Sequence, residues 1–125
     1  MFANDEFSKW LGIDVVKVEP GFCELKMKVR DEMTNGFKIA HGGITYSLAD
    51  SALAFASNSH GKKAVSVETS ISHTQSVAAG DTLIARAQEE HKSDKIGVYQ
   101  VKVTNQDNKL VALFKGVVYR TQKDW

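Results

Sequence analysis

The stretch that decides the fold is His41-Gly42-Gly43-Ile44-Thr45-Tyr46-Ser47-Leu48-Ala49-Asp50-Ser51-Ala52-Leu53-Ala54-Phe55-Ala56-Ser57. Leu and Ala dominate it, and no strand alternation holds. Ile44, Leu48, Ala52, Phe55 and Ala56 recur at helical spacing. The pattern predicts one long helix over Gly42 to Ser59, with Gly61 just past its end. An Ala-rich helix permits close approach of its neighbours, which makes this one central and buried.

Outward from that helix the periodicity changes from 3.6 to two. Upstream, Thr34 to Ala40 reads as loop. Phe22 to Arg30 alternates Cys23, Leu25, Met27 and Val29 against Glu24, Lys26, Lys28 and Arg30. Ile13 to Glu19 is its hairpin partner across Pro20-Gly21. Glu6 to Leu11 is a short amphipathic helix, with Phe7, Trp10 and Leu11 on one side and Gly12 ending it. Downstream come four strands: Ala64 to Thr74, Thr82 to Lys92, Ile96 to Thr104 and Lys109 to Arg120. In the first, Val65, Val67, Thr69 and Ile71 form the apolar parity. Ser93-Asp94-Lys95 and Asn105 to Asn108 are the turns between the last three. Short connections make neighbouring strands antiparallel. One long helix cannot cover both faces of a sheet, so a doubly wound fold is excluded. The expectation is an α+β fold, an antiparallel sheet wrapped around one central helix, in a single domain spanning 1–125. The open sheet edges call for a partner copy.

The chain has 125 residues, 42% hydrophobic and 25% charged, an ordinary globular balance. Sixteen basic and fifteen acidic residues leave a net charge of +1, which gives no electrostatic reason for a nucleic-acid partner. Cys23 is the only cysteine and suits a reducing compartment. Met1 to Asp5 lacks a leader's basic segment and apolar run, and Ile44 to Ala56 is too short to span a bilayer. A cytoplasmic protein without membrane contact is expected.

The chemistry lies in the spacing N-x5-H-G-G-x6-D, from Asn35 to Asp50. Two adjacent glycines at a helix start are costly in backbone entropy. Bare N–H groups at a helix N-terminus offset that cost if they bind an anion or a developing oxyanion. The bland alternative is a glycine-rich loop that only lets the chain enter the helix. Asp50 argues against it: a carboxylate amid Leu48, Ala49, Ala52 and Leu53 loses solvation unless it has partners or a function. Ser47 and Ser51 are candidate partners. Gly42 and Asp50 lie eight residues apart, about 12 Å along one helix. They cannot reach one carbonyl from the same helix. If both act on one group, they come from two subunits of a two-fold dimer with antiparallel helices.

His41-Gly42-Gly43 followed by Ser47-Leu48-Ala49-Asp50 resembles the hotdog-fold acyl-CoA thioesterases of the phenylacetate-degradation type. Gly80-Asp81-Thr82-Leu83 and Val111 to Gly116 are similar to that family too. The resemblance implies a hotdog fold and hydrolysis of a phenylacetyl-, aryl- or medium-chain acyl-CoA to acid and CoA. Asp50 would be general base or nucleophile. The Gly42 N–H would hold the thioester oxygen, Asn35 would position water or substrate, and His41 would shape the loop. Gly43 and Ser51 would lie against substrate. The family is usually a homotetramer, a dimer of dimers with sites at the subunit interface. It needs no cofactor beyond the coenzyme A of its substrate. Aryl-CoA relatives with Glu as the acid often carry threonine one turn on; this chain has Ala54.

Lys92 and Lys95, with Lys62 and Lys63, lie near turns and are candidates for the CoA phosphates, against the commoner reading of solvated turn lysines. His60, His73 and His91 show no metal-ligand spacing and read as surface or satisfied histidines. Cys23 falls on the apolar parity of its strand and reads as core. No G-x-S-x-G or G-x-G-x-x-G occurs. Two other functions stay open: a non-catalytic acyl-CoA-binding hotdog protein, which would not need Asp50, and an enoyl-CoA hydratase or dehydratase, for which His41 would supply the histidine.

Overall fold

A computed structural model describes residues 5–125; the reading of Met1 to Asp5 as leaderless lies, but for Asp5, outside them. Helix α1 spans Glu6–Leu11, strands β1 and β2 Asp14–Glu19 and Phe22–Lys28, and the long helix α2 Gly42–Ser57. Strands β3 to β6 follow, at Lys62–His73, Thr82–Lys92, Ile96–Thr104 and Leu110–Asp124. All six strands form one antiparallel sheet in the order β1-β2-β4-β5-β6-β3. The sheet curls round α2, the hotdog arrangement. Among the described residues no helix is long and apolar enough to cross a membrane.

The packing follows from side-chain size. Leu48, Ala49, Ala52, Leu53 and Ala56 of α2 are fully buried against Leu25, Ala85, Ala87, Val101 and Phe114 of the sheet. Alanines on both surfaces bring helix and sheet close, and the larger residues fill what remains. Each fully buried Leu or Phe contributes about 1.5–3 kcal/mol. At Gly116 in β6 the approach is closest: an added Cβ would stand 2.5 Å from Leu53 Cδ2.

Four expectations need correction. The one-sided apolar cluster of α1 does not form: Leu11 and Ser8 are buried, while Phe7 and Trp10 stack on each other, half exposed. Arg30 closes over them, with its guanidinium above Trp10 and donating to the carbonyls of Trp10 and Leu11. The long helix stops at Ser57, and Asn58–His60 tightens into a 3-10 turn that ends at Gly61, φ +89°. In β3 the apolar parity breaks at a bulge between Ser66 and Glu68. Val65 and Val67 therefore face outward, and the half-buried positions are Lys62 and Ala64 before the bulge and Thr69 and Ile71 after it. The last strand runs on to Asp124 because Lys62 still pairs with it. Both sheet edges, β1 and β3, carry exposed valines: Val15, Val16 and Val18 on one, Val65 and Val67 on the other.

Candidate active site

The start of α2 is fixed by its loop. Asn35 Oδ1 accepts from the N–H groups of Phe37 and Ile39, 2.8 and 3.3 Å away. Lys38 takes a left-handed φ of +61° in the resulting turn. Thr34 and Ala40 bridge across its base. The His41 N–H donates to Met33 O, and the Ala40 N–H to Val77 O. His41 is the N-cap residue, but its side chain makes no capping hydrogen bond. Among the described residues, no side chain or loop carbonyl accepts from the Gly42 or Gly43 N–H. The helix dipole's positive end thus opens onto a cleft of about 360 Å³ walled by Gly42, Thr45, His73 and Gln75. Gly43 is exposed, with nothing within 4 Å of the space a Cβ would take.

Asp50 sits two turns on, in a separate cavity of about 60 Å³ formed with Leu53, Ala54, Ser57, Ala64, Ser66 and Val118. It is half-buried and has no hydrogen-bond or ion-pair partner among the described residues. Burial raises its carboxyl pKa above the ordinary value. The serines expected to support it point elsewhere. Ser47 Oγ donates to Gly43 O, 2.7 Å away. Ser51 is buried on the side of α2 that meets α1, and its hydroxyl lies 3.0 Å from that of Ser8. Ser51, expected to lie against substrate, lines neither cavity within one chain.

Lys92 and Lys95 are exposed at the β4–β5 turn, and neither lines the Gly42 or the Asp50 cavity within one chain. Among the described residues no cluster of three or more His, Cys, Asp or Glu side chains is disposed to hold a metal ion. Cys23 is fully buried, and burial pushes its thiol up to about 12, so it stays protonated and unreactive.

The histidines separate on inspection of their neighbours. His60 is satisfied: its Nε2 lies 2.6 Å from Glu89 Oε2, which also accepts from the Tyr99 hydroxyl at 2.8 Å. His91 is exposed on β4. His73, at the end of β3, lies against Gly42 with its Nε2 3.2 Å from the space a Cβ there would take. His73 is exposed, as its reading as a surface histidine expects, but the contact with Gly42 joins a strand end to a helix start, and no spacing rule links the two.

Residues 37–112 match the thioesterase superfamily. The acyl-coenzyme A thioesterase PaaI of Escherichia coli K12 is 43% identical over 120 residues, covering 96% of this chain and 86% of that protein. The solved structure of the E. coli PaaI protein from the phenylacetic acid degradation operon superposes with a TM-score of 0.97 at 42% identity, covering 99% of this chain and 90% of that one. Streptococcus mutans smu.793, solved bound to acetyl CoA, superposes with a TM-score of 0.87 at 32% identity, covering 90% and 91%.

Proposed function

The chain belongs to the thioesterase superfamily and is a thioester hydrolase, and from that premise we propose that it cleaves acyl-CoA, phenylacetyl-CoA or a related aryl or medium-chain acyl-CoA, to a free acid and CoA. One observation carries the mechanism. The bare N-terminus of α2 and the unpartnered Asp50 open into different cavities of the same chain. Each half lacks what the other supplies. In a two-fold homodimer with antiparallel helices, the Gly42 end of one protomer meets Asp50 of its partner, and two complete sites form.

In such a site the Gly42 N–H donates to the thioester carbonyl oxygen. The Asp50 carboxylate takes a proton from water as the water oxygen bonds to the carbonyl carbon. The oxygen bearing the new charge is stabilised by the N–H and the helix dipole. When that charge returns, the C–S bond breaks, and the Asp50 carboxyl hands its proton to the departing thiolate. A carboxyl pKa raised by burial makes Asp50 a stronger base than an exposed aspartate, which suits this role. Asn35 and His41 hold the loop that delivers Gly42, and Gly43 leaves the approach to it open. Contact of Lys92 and Lys95 with CoA phosphates requires the assembled protein. The same reading carries a dimer or dimer of dimers, a cytoplasmic location and no cofactor besides substrate CoA.

The test is complementation between inactive parents, assayed by thiol release from a panel of short, long and aromatic acyl-CoAs. Asp50→Asn removes the base. Gly42→Pro removes the N–H donor at a first-turn position where proline is tolerated. A mixed dimer holds one site with both lesions and one with neither. Random reassortment is expected to restore roughly a quarter of wild-type activity. Folded parents that exchange subunits and stay inactive would show that the two groups do not share a site.

A further inference from the structure

We propose that His73 is a second hydrogen-bond donor to the thioester oxygen, acting beside the Gly42 N–H. The proposal rests on the role given to Gly42 above and adds a residue that reading does not use. It starts from helix geometry. A Cα–Cβ bond in a helix tilts toward the N-terminus, so the space a Cβ of Gly42 would fill lies in front of the helix start. The unpaired N–H groups of the first turn point into that same space. His73 Nε2 stands 3.2 Å from the Cβ position, and the ring's Cε1 3.4 Å. An oxygen that accepts from the Gly42 N–H therefore sits beside the imidazole.

Three further observations fit a donor in use. The His73 ring has no hydrogen-bond or ion-pair partner among the described residues. His73 is anchored through its backbone, at the end of β3 opposite Ala112 of β6, so the ring is carried by the sheet. Among the described residues it is also the one titratable residue lining the cleft. No charged neighbour there competes for its N–H. With the proton on Nε2, the ring donates to the carbonyl oxygen, and the bond strengthens as negative charge builds during attack. No proton leaves the ring. When the C–S bond breaks the charge returns to the carbonyl, and the bond weakens again.

Substitution at position 73, with thiol release measured on the acyl-CoA that the wild-type protein turns over fastest, tests this. His73→Phe keeps a planar ring and removes the donor. We expect kcat to fall about 100- to 1000-fold, with KM changed less than about threefold, as for loss of one oxyanion donor. His73→Gln restores an N–H donor and is expected to recover most of that loss. His73→Ala, which vacates the ring, is expected to lose kcat likewise and to regain part of it with imidazole in the buffer, after subtraction of the enzyme-free rate. It decides the matter should His73→Phe fold poorly by circular dichroism. Wild-type kcat in His73→Phe or in His73→Ala overturns the proposal. So does an equal loss in the Phe and Gln variants with no rescue by imidazole, which marks a structural wall. Gly42→Pro, run in parallel, separates the two layers: its inactivity beside a fully active His73→Phe defeats the His73 inference alone. Full activity of Gly42→Pro defeats the underlying reading as well.

Discussion

At the C-terminal end of α2 the polar groups are tied to one another; at its N-terminal end they are left open. Asn58 bridges helix and sheet, its Nδ2 donating to Ala54 O at 2.8 Å and its Oδ1 accepting from the Ala64 N–H at 2.9 Å. The Ser59 hydroxyl donates to Ala56 O and accepts from the Gly21 N–H. His60 and Tyr99 both close on Glu89. Burial alone would raise the Glu89 pKa, but the hydrogen bonds from His60 and Tyr99, with the charges of His60 and Lys92, bring it below the ordinary value. Tyr99 moves the other way, raised by burial and by the Glu89 carboxylate. At the N-terminal end, among the described residues, nothing accepts from the Gly42 or Gly43 N–H, and the Asp50 carboxylate has no partner. The contrast teaches that one helix can be anchored at one end so that the other keeps its polar groups free for a ligand.

The largest expected effect tests that division directly. Asp50→Asn should lower kcat by about 10³-fold or more while circular dichroism stays unchanged. Glu89→Gln, at the tied end, should leave kcat within about twofold. Steady-state thiol release on both proteins makes the comparison. Equal losses would abolish the division of labour.

A smaller effect is expected in stability. Glu89→Ala strands the buried Tyr99 hydroxyl and the His60 ring, at a cost of about 1–3 kcal/mol. That corresponds to a fall in Tm of roughly 4–10 °C, read by calorimetry at pH 7. Because its folded pKa is lowered, Glu89 stabilises the protein above the ordinary glutamate range, and the contribution fades as pH falls through the folded value. The gap between wild type and Glu89→Gln should therefore close in acid. Asn58→Ala, which removes one helix-to-sheet bridge, should cost about 1 kcal/mol and leave kcat unchanged.

The smallest effect has the opposite sign. Asp50 has a raised folded pKa, so its carboxylate destabilises the fold once ionised. Its favourable balance is complete below the unfolded value and is lost as pH rises through the folded one. Asp50→Asn should thus melt slightly above wild type at pH 7 and together with it near pH 3. A lower Tm at pH 7 would mean that Asp50 has a stabilising partner in the assembled protein.

Most of the sheet was legible because burial on one face imposes alternation: Thr82–Lys92 and Ile96–Thr104 fall where the pattern puts them. The bulge in β3 was not, since one extra residue reverses parity without leaving a composition signal. The helix and the placement of Asp50 on it were legible from Ala and Leu spacing. The partner of Ser51 was not, because it depends on which side of α2 receives α1. The contacts of His73 with Gly42 and of His60 with Glu89 belong to the same class. They join segments distant in sequence, and only the closed fold brings them together.

The contact of Leu53 with Gly116 sets a limit on sequence drift. Every replacement of a glycine installs a side chain, and at 116 even alanine would put its methyl 2.5 Å from Leu53 Cδ2. Leu53 is itself buried beneath the sheet and has little room to yield. Gly36, in the loop before the helix, has nothing within 4 Å of its own Cβ space. In a saturation library selected for folded protein, position 116 should be depleted of every replacement while position 36 accumulates them. The two glycines look interchangeable in the sequence, yet packing closes one position to any side chain and leaves the other open.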